Sequence, residues 1–330
     1  MTIDDIAREL GVSKTTVSRA ISGKGRISEA TRARIQEYIK LHNYRPSAAA
    51  KALAESKTYN LALVLPKSFI HLDLPYIRKS LNVICEEAFL QDYNILICLS
   101  TDDTPTHLLR TLDNRKVDGV ILSRTVENDT SVNILIQRDI PFATMGSLPH
   151  RLRGKAVGQV DHDQIGGCRA FSREFLQNGI EKTALLGNDL NYIVNQSRLA
   201  GFRKAVRDLG LDYSQISLRT GLNDQRSRAA AAKELYEQGV RRFLCMDDDV
   251  CLHVLAQLQS MGLDIPKDVQ IASLVDDERL TQTEPPISAL EFDPADLGRV
   301  ACRELLHYLK NENYDPTPIL GYRIIHREST

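Results

Sequence analysis

The sequence predicts a small all-α helix-turn-helix head followed by an α/β core of parallel sheets in two similar halves. Three observations lead there. Within the first 46 residues, helical apolar periodicities are punctuated by Gly11, Gly23 and Gly25 and by serines at helix starts. From Leu61 the pattern switches to short apolar runs alternating with longer helical stretches. That alternation divides into two similar halves near Val157 to Asp161, repeated in pattern and not in sequence.

At 330 residues the chain is long enough for two or three domains, and 42% hydrophobic with 26% charged suits a soluble globular protein. No apolar run reaches the roughly 18 residues of a membrane helix. The polar, acidic N-terminus carries no secretory signal, so a cytoplasmic protein without a membrane partner is expected. Cys85, Cys98, Cys168, Cys245, Cys251 and Cys302 are scattered, without CxxC or paired Cys/His spacing; they are expected reduced and buried, with no metal and no cofactor. No nucleophile elbow, phosphate loop or zinc motif is present, which argues against an enzyme. Charge is asymmetric: residues 1–58 hold 11 Lys+Arg against 6 Asp+Glu, while the rest hold 31 against 37. A basic head on an acidic body suits a nucleic-acid-binding element attached to a sensor.

Taken in order, Thr2 caps the first helix with Asp5 three residues on, and Ile3, Ile6, Ala7 and Leu10 make one apolar face. Gly11 ends that helix because it tolerates positive φ. Ser13 caps a second helix of about Lys14 to Ser22, which buries Val17 and Ile21. After the turn Gly23-Lys24-Gly25, Ser28 caps a third helix on which Ile35, Tyr38, Ile39 and His42 recur; Tyr38 reads as core and His42 as structural or half-buried. The second helix turns Lys14, Thr15, Ser18 and Arg19 outward. Lys and Arg can donate to guanine O6/N7, and Thr offers a hydroxyl and a methyl that meet thymine. Thr2, Ser13 and Thr16 can donate to phosphates and set the register. Residues 47–58 hold five alanines after Pro46 and read as a short hinge helix and linker. A helix of that length is marginal alone, so it is expected frayed without DNA and helical on it; a plain linker is the alternative.

The body's apolar runs are Leu61–Leu65, Asn94–Cys98, Gly119–Leu122, Thr183–Gly187, Arg242–Met246 and Val269–Ser273. Ligand sites in such sheets lie beyond the carboxyl ends of the strands. That points to Pro66–Leu74, Ser123–Thr125, Met145–Ser147, Asn188–Arg198, Asp247–Asp249 and Val275–Asp277. The acidic groups of Asp247-Asp248-Asp249 and Asp276-Asp277 also admit a hard-cation reading, although helix capping is the commoner use.

Ile3-Asp5-Ile6-Ala7, Gly11-Val12-Ser13, Thr16-Val17-Ser18-Arg19, Ser28-Thr31-Arg32 and Asn43-Tyr44-Pro46 resemble the head of the lactose-repressor/galactose-repressor family of bacterial transcription factors. Asp161 to Gly166, Arg198-Leu199-Ala200-Gly201-Phe202, Asp276-Asp277 and the tail from Ile319 extend the resemblance over the chain. It implies a periplasmic-binding-protein type I core of two doubly wound parallel-sheet lobes, with domains at 1–46, 47–58 and 59–330. The N-lobe would span about 59–158 and 293–317 and the C-lobe about 162–289 and 321–330, with crossings near 158–162, 289–293 and 317–321. It also implies base reading by Lys14 and Thr15, a guanine or phosphate contact by Arg19, and DNA contacts from Arg26 and Tyr44. Leu53 would wedge into the minor groove, with Ala50 on the same face. Arg198 and Asp276 would grip effector hydroxyls, one donating and one accepting, with a structural ion pair as the alternative for each. Asp247 stands where the family often has Asn, Ser147 where an Arg often follows Asp, and Pro294 where an aromatic is common. The implied protein is a homodimeric repressor on a near-palindromic operator, controlled by a sugar or related metabolite. A broader catabolite regulator with a protein co-regulator and a soluble sugar receptor are the alternatives.

Overall fold

The computed structural model describes the chain except residues 24, 45–51, 53–54, 67–74, 101–104, 153 and 178–181, and describes only the backbone of residues 22 and 75. It divides into two compact units, Met1–Thr58 and Tyr59–Thr330.

In the first unit, α1 (Ile3–Leu10), α2 (Lys14–Ser22) and α3 (Glu29–Leu41) close around Ile6, Ala7, Val17, Ala20 and Ile35. Thr2 and Asp5 form a reciprocal capping box, and Gly11 ends α1 at φ 63°. Ser13 and Ser28 cap the next two helices through the Thr16 and Thr31 amides. Ala20 is buried at 1% exposure while Ile21 is only half-buried, so the inner stripe of α2 runs through Val17 and Ala20. His42 departs from expectation: it is exposed, stacked on Tyr38 at 4.2 Å, because it follows the last turn of α3.

The second unit begins with β1 (Asn60–Pro66), α4 (Pro75–Phe89), β2 (Asn94–Ser100), α5 (Thr106–Asp113), β3 (Gly119–Leu122), α6 (Thr130–Gln137), β4 (Phe142–Met145) and β5 (Gly158–His162). It continues with α7 (Gln164–Leu176), β6 (Thr183–Leu186), α8 (Ile193–Asp208), β7 (Ser217–Arg219), α9 (Gln225–Glu237), β8 (Arg242–Cys245), α10 (Asp248–Ser260) and β9 (Gln270–Ser273). It ends with α11 (Glu278–Thr281), β10 (Ser288–Glu291), α12 (Pro294–Leu309), β11 (Ile319–Leu320) and β12 (Arg323–Ile325). Two six-stranded sheets result, in the orders β11-β5-β4-β3-β1-β2 and β12-β10-β9-β8-β6-β7. All neighbours are parallel except β10 and β12. The chain leaves the first sheet after His162, returns after Glu291 through α12, and crosses again between Leu320 and Arg323.

Each sheet is covered on both faces, which is why its strands read as continuous apolar runs. Along β1, Leu61, Leu63 and Leu65 join one core with Ile84, Ala301 and Leu305, while Ala62 and Val64 join the other with Leu108, Val132 and Leu135. The edge strands are the exception: on β2, Ile97 is 51% exposed. Cys85 likewise departs from expectation, being exposed on α4, whereas the other five cysteines are free and buried. Among the described residues, no helix is long and apolar enough to cross a membrane.

Gly201 sets how closely α8 lies on α7: a Cβ there would fall 2.7 Å from both the Cys168 Cβ and the Ile165 carbonyl oxygen. The carbonyl belongs to a helix backbone and has little room to yield. Gly201→Ala is therefore expected to lower stability by about 1–3 kcal/mol, exceeding the roughly 1 kcal/mol that alanine adds in helix propensity. A urea titration of the purified protein measures the balance; a rise in the midpoint would contradict it.

Candidate functional site

On the head, α2 presents one polar face. Lys14, Thr15, Ser18 and Arg19 are exposed on successive turns, opposite the buried Val17 and Ala20. Ser13 Oγ accepts from the Thr16 amide at 3.1 Å and lies 2.8 Å from the Thr16 hydroxyl, so both side chains are oriented at the helix start. Thr2 holds the start of α1 through Asp5, whose carboxyl sits below its ordinary pKa because the Thr2 amide and hydroxyl donate to it. Lys14 Nζ lies 2.5 Å from Asp4, an exposed pair worth about 0–1 kcal/mol, so a DNA contact by Lys14 exchanges one partner for another. Arg19 lays its side chain over Gly25, where a Cβ would come within 3.0 Å of Arg19 Cδ; φ at +88° is what favours glycine there. Arg26 is exposed beside this turn. Tyr44 is half-buried against the head core. Ala50 and Leu53 lie outside the described residues, as does most of the expected hinge helix. Two further basic residues hold the turns: Arg32, part of the Ser28-Thr31-Arg32 motif, donates to the Gly23 carbonyl at 3.3 Å, and Arg34, which carried no sequence signal, donates to that of Leu10.

In the body, the carboxyl ends of the strands bring together a second set of groups. Arg198 on α8 donates to the Met246 carbonyl at 3.0 Å and reaches Gln164 at 3.4 Å and Asn195 at 3.5 Å. Its charge acts on Asp161, His162, Asp247 and the buried Tyr76 hydroxyl, whose pKa burial pushes up. Ser147 donates its amide (2.9 Å) and hydroxyl (2.7 Å) to Asp161 Oδ2. Burial raises the Asp161 pKa and those hydrogen bonds oppose it. Asp247 caps α10 through Val250 and accepts from Asn188 at 2.6 Å; burial raises its pKa against the pull of Arg198 and Arg228. Its neighbours are also engaged, Asp248 with Arg279 and Asp249 with Arg228. The Ser123 hydroxyl and His162 Nε2 are buried with no hydrogen-bond partner among the described residues, the condition of groups that a bound molecule or water completes. Residues 67–74 of the first candidate loop lie outside the described residues.

Arg198 and Asp276 do not share partners. Arg327, from the tail, grips Asp276 bidentately at 2.8 and 2.6 Å and also donates to the Ile287 carbonyl. The sequence reading missed this because Arg327 lies 51 residues away. Arg124 and Tyr192 lie within the loops expected from sequence at Ser123–Thr125 and Asn188–Arg198, and Asp161-His162 within the Asp161 to Gly166 motif, whereas Tyr76 lies just past the first of those loops. Pro294 occupies the first turn of α12, where its missing N–H costs nothing.

Burial holds His162 at a pKa of about 4, below the ordinary 6.5. The folded state therefore keeps it neutral while the unfolded chain protonates below about 6.5. Its contribution is present above that pH and is lost as pH falls towards 4. Between pH 7 and 5 this amounts to about 2 kcal/mol. His162→Gln should flatten that limb of a denaturation–pH profile; an unchanged slope would contradict the assignment.

A helix-turn-helix with a basic outward face, in a chain whose body gathers polar groups at the strand ends of two α/β lobes, defines a ligand-sensing DNA-binding regulator. Residues 2–47 match the bacterial regulatory proteins of the lacI family, and residues 172–330 match the periplasmic binding protein-like domain. The chain belongs to the LacI/GalR family of bacterial transcriptional regulators. It is 26% identical over 338 residues to catabolite control protein A of Priestia megaterium, covering 100% of this chain and 99% of the relative. Its fold matches the lac repressor dimer bound to operator and the anti-inducer ONPF, with a TM-score of 0.79 at 20% identity, covering 100% and 99% of the two chains. It also matches the transcriptional regulator CelR in its cellobiose complex, with a TM-score of 0.72 at 24% identity and full coverage of both chains.

Proposed function

We propose that this regulator is a cytoplasmic homodimeric repressor of a carbohydrate-utilisation operon, with operator affinity set by a sugar or related metabolite held between the lobes. The observation that carries it is the exposed Lys14, Thr15, Ser18 and Arg19 face, held in place by the Ser13 cap and Gly25. Lys14, Thr15 and Arg19 read bases, while Thr2, Ser13, Thr16, Arg26 and Tyr44 contact the backbone and Ala50 and Leu53 approach the minor groove. A two-fold dimer places two such helices on successive major-groove faces of a near-palindrome. Arg198 is the principal effector donor and Asp247 an acceptor, supported by the Ser147–Asp161 pair; Asp276 contributes through its pairing with Arg327.

A sugar seated there would stabilise the fold and shift the lobes between states of different operator affinity. A thermal-shift panel of sugars and sugar phosphates, followed by operator titration with each hit, tests this. A compound that raises the melting temperature must also change operator affinity. No hit across the panel, or hits without effect on DNA binding, would count against a sugar effector. The full-length similarity to catabolite control protein A favours one second reading, a broader catabolite regulator with a protein co-regulator. In that case DNA affinity changes only when the protein partner is added.

A further inference from the structure

The turn after β3 and the turn before α8 belong to different lobes, yet their main chains pair. Val126 and Tyr192 form an isolated antiparallel bridge. The Glu127 amide donates to the Asn191 carbonyl at 2.9 Å, and the Ile193 amide donates to the Thr125 carbonyl at 3.3 Å. Over this bridge the Arg124 guanidinium stacks on the Tyr192 ring, 3.6 Å from its centroid, and donates to the Tyr192 hydroxyl. At its far side Gln196 Nε2 reaches Glu127 at 3.3 Å.

We infer that Arg124 and Tyr192, with the bridge beneath them, form a clasp between the two lobes that sets the balance between their closed and open arrangements. Ligand entry then requires the clasp to part.

Two features make this more than incidental contact. Ile193 is the first residue of α8, where a backbone N–H has no partner within the helix. The preceding Tyr192 supplies no side-chain cap, so the Thr125 carbonyl of the other lobe satisfies that donor. Opening the lobes returns the donor to water and removes the cation–π stack together. Both arms are also fixed within their own lobes. Thr125 Oγ1 donates to the Ser147 carbonyl at 2.6 Å and the Val126 amide to Asp129 at 3.3 Å. Opposite, the Asn191 amide donates to Asp189 at 2.9 Å, and Asn195 Nδ2 donates to the Asp189 carbonyl at 2.8 Å. Two pre-shaped turns lose little entropy on meeting, so a small number of bonds holds them.

The clasp governs ligand access only if the ligand lies between the lobes, and in that respect it rests on the proposed function. Hydrogen exchange tests it separately, on full-length protein dialysed free of small molecules, with fragmentation that resolves single amides. In the wild type the Glu127 and Ile193 amides should be protected relative to the unstructured-peptide rate. In Arg124→Ala/Tyr192→Ala both should exchange about tenfold faster, since losing a partly desolvated cation–π pair raises the population of the open form. The Leu244 amide within β8 should be unchanged, showing an intact fold. Unprotected Glu127 and Ile193 amides in the wild type, or equal rates in the double variant, would overturn the clasp. Either result leaves the DNA titration unaffected, so the two readings fail separately.

Discussion

Arg19→Ala is expected to weaken binding to the specific operator by roughly 10- to 100-fold, the loss of one bidentate arginine–base contact. Binding to random DNA should fall only by the contribution of a single charge. Arg19 is exposed and its side chain packs over Gly25, so the head should melt at nearly the wild-type temperature. Lys14→Ala should cost less, because Lys14 is already paired with Asp4 and the free protein loses that pair when DNA binds. The order Arg19 above Lys14 is thus a consequence of what each side chain gives up. Fluorescence anisotropy with operator and scrambled duplexes at one salt concentration measures both. Equal losses on the two duplexes would remove Arg19 from base reading and leave it a phosphate contact.

Arg327→Ala should be the most destabilising of these substitutions, by about 2–3 kcal/mol, because it leaves the partly buried Asp276 carboxylate without its bidentate partner. The pair is bidentate, with side-chain exposures of 15% and 12%, and Arg327 also ties the Ile287 carbonyl preceding β10. Replacing both residues with leucine should recover much of the loss, since an apolar pair avoids the stranded charge. Chemical denaturation followed by circular dichroism reads this, with the second lobe unfolding first if the two lobes separate. An unchanged midpoint would mean that Asp276 is held by something other than Arg327.

Much of the architecture was legible in the chain. Capping serines, Gly11 and the periodicity of the first helices located the head because local chemistry alone decides those boundaries. Continuous apolar runs located the principal strands because both faces of each sheet are covered. β4 and β7 were harder: Phe142–Met145 is four residues with a central threonine, and Ser217–Arg219 is a half-buried edge. Long-range partners were the least visible. Nothing near Asp276 indicates Arg327, and nothing near Arg124 indicates Tyr192, 68 residues on, because such pairs exist only once both sheets are folded. The motif Arg198-Leu199-Ala200-Gly201-Phe202 was recognised as a unit, but only the packing of α8 on α7 explains it. Gly201 permits the close approach, Phe202 is buried in the lobe core, and Arg198 is thereby carried to the Met246 carbonyl.

The most direct test is an anisotropy titration of the full-length protein against the DNA upstream of its own operon and against random duplex of the same length, at several salt concentrations. The expected result is operator binding tighter by about a thousandfold or more at moderate salt, as for specific regulators, with affinity falling as salt rises. Equal affinity for the two duplexes at moderate salt would contradict a sequence-specific regulator whose reading face is Lys14, Thr15 and Arg19.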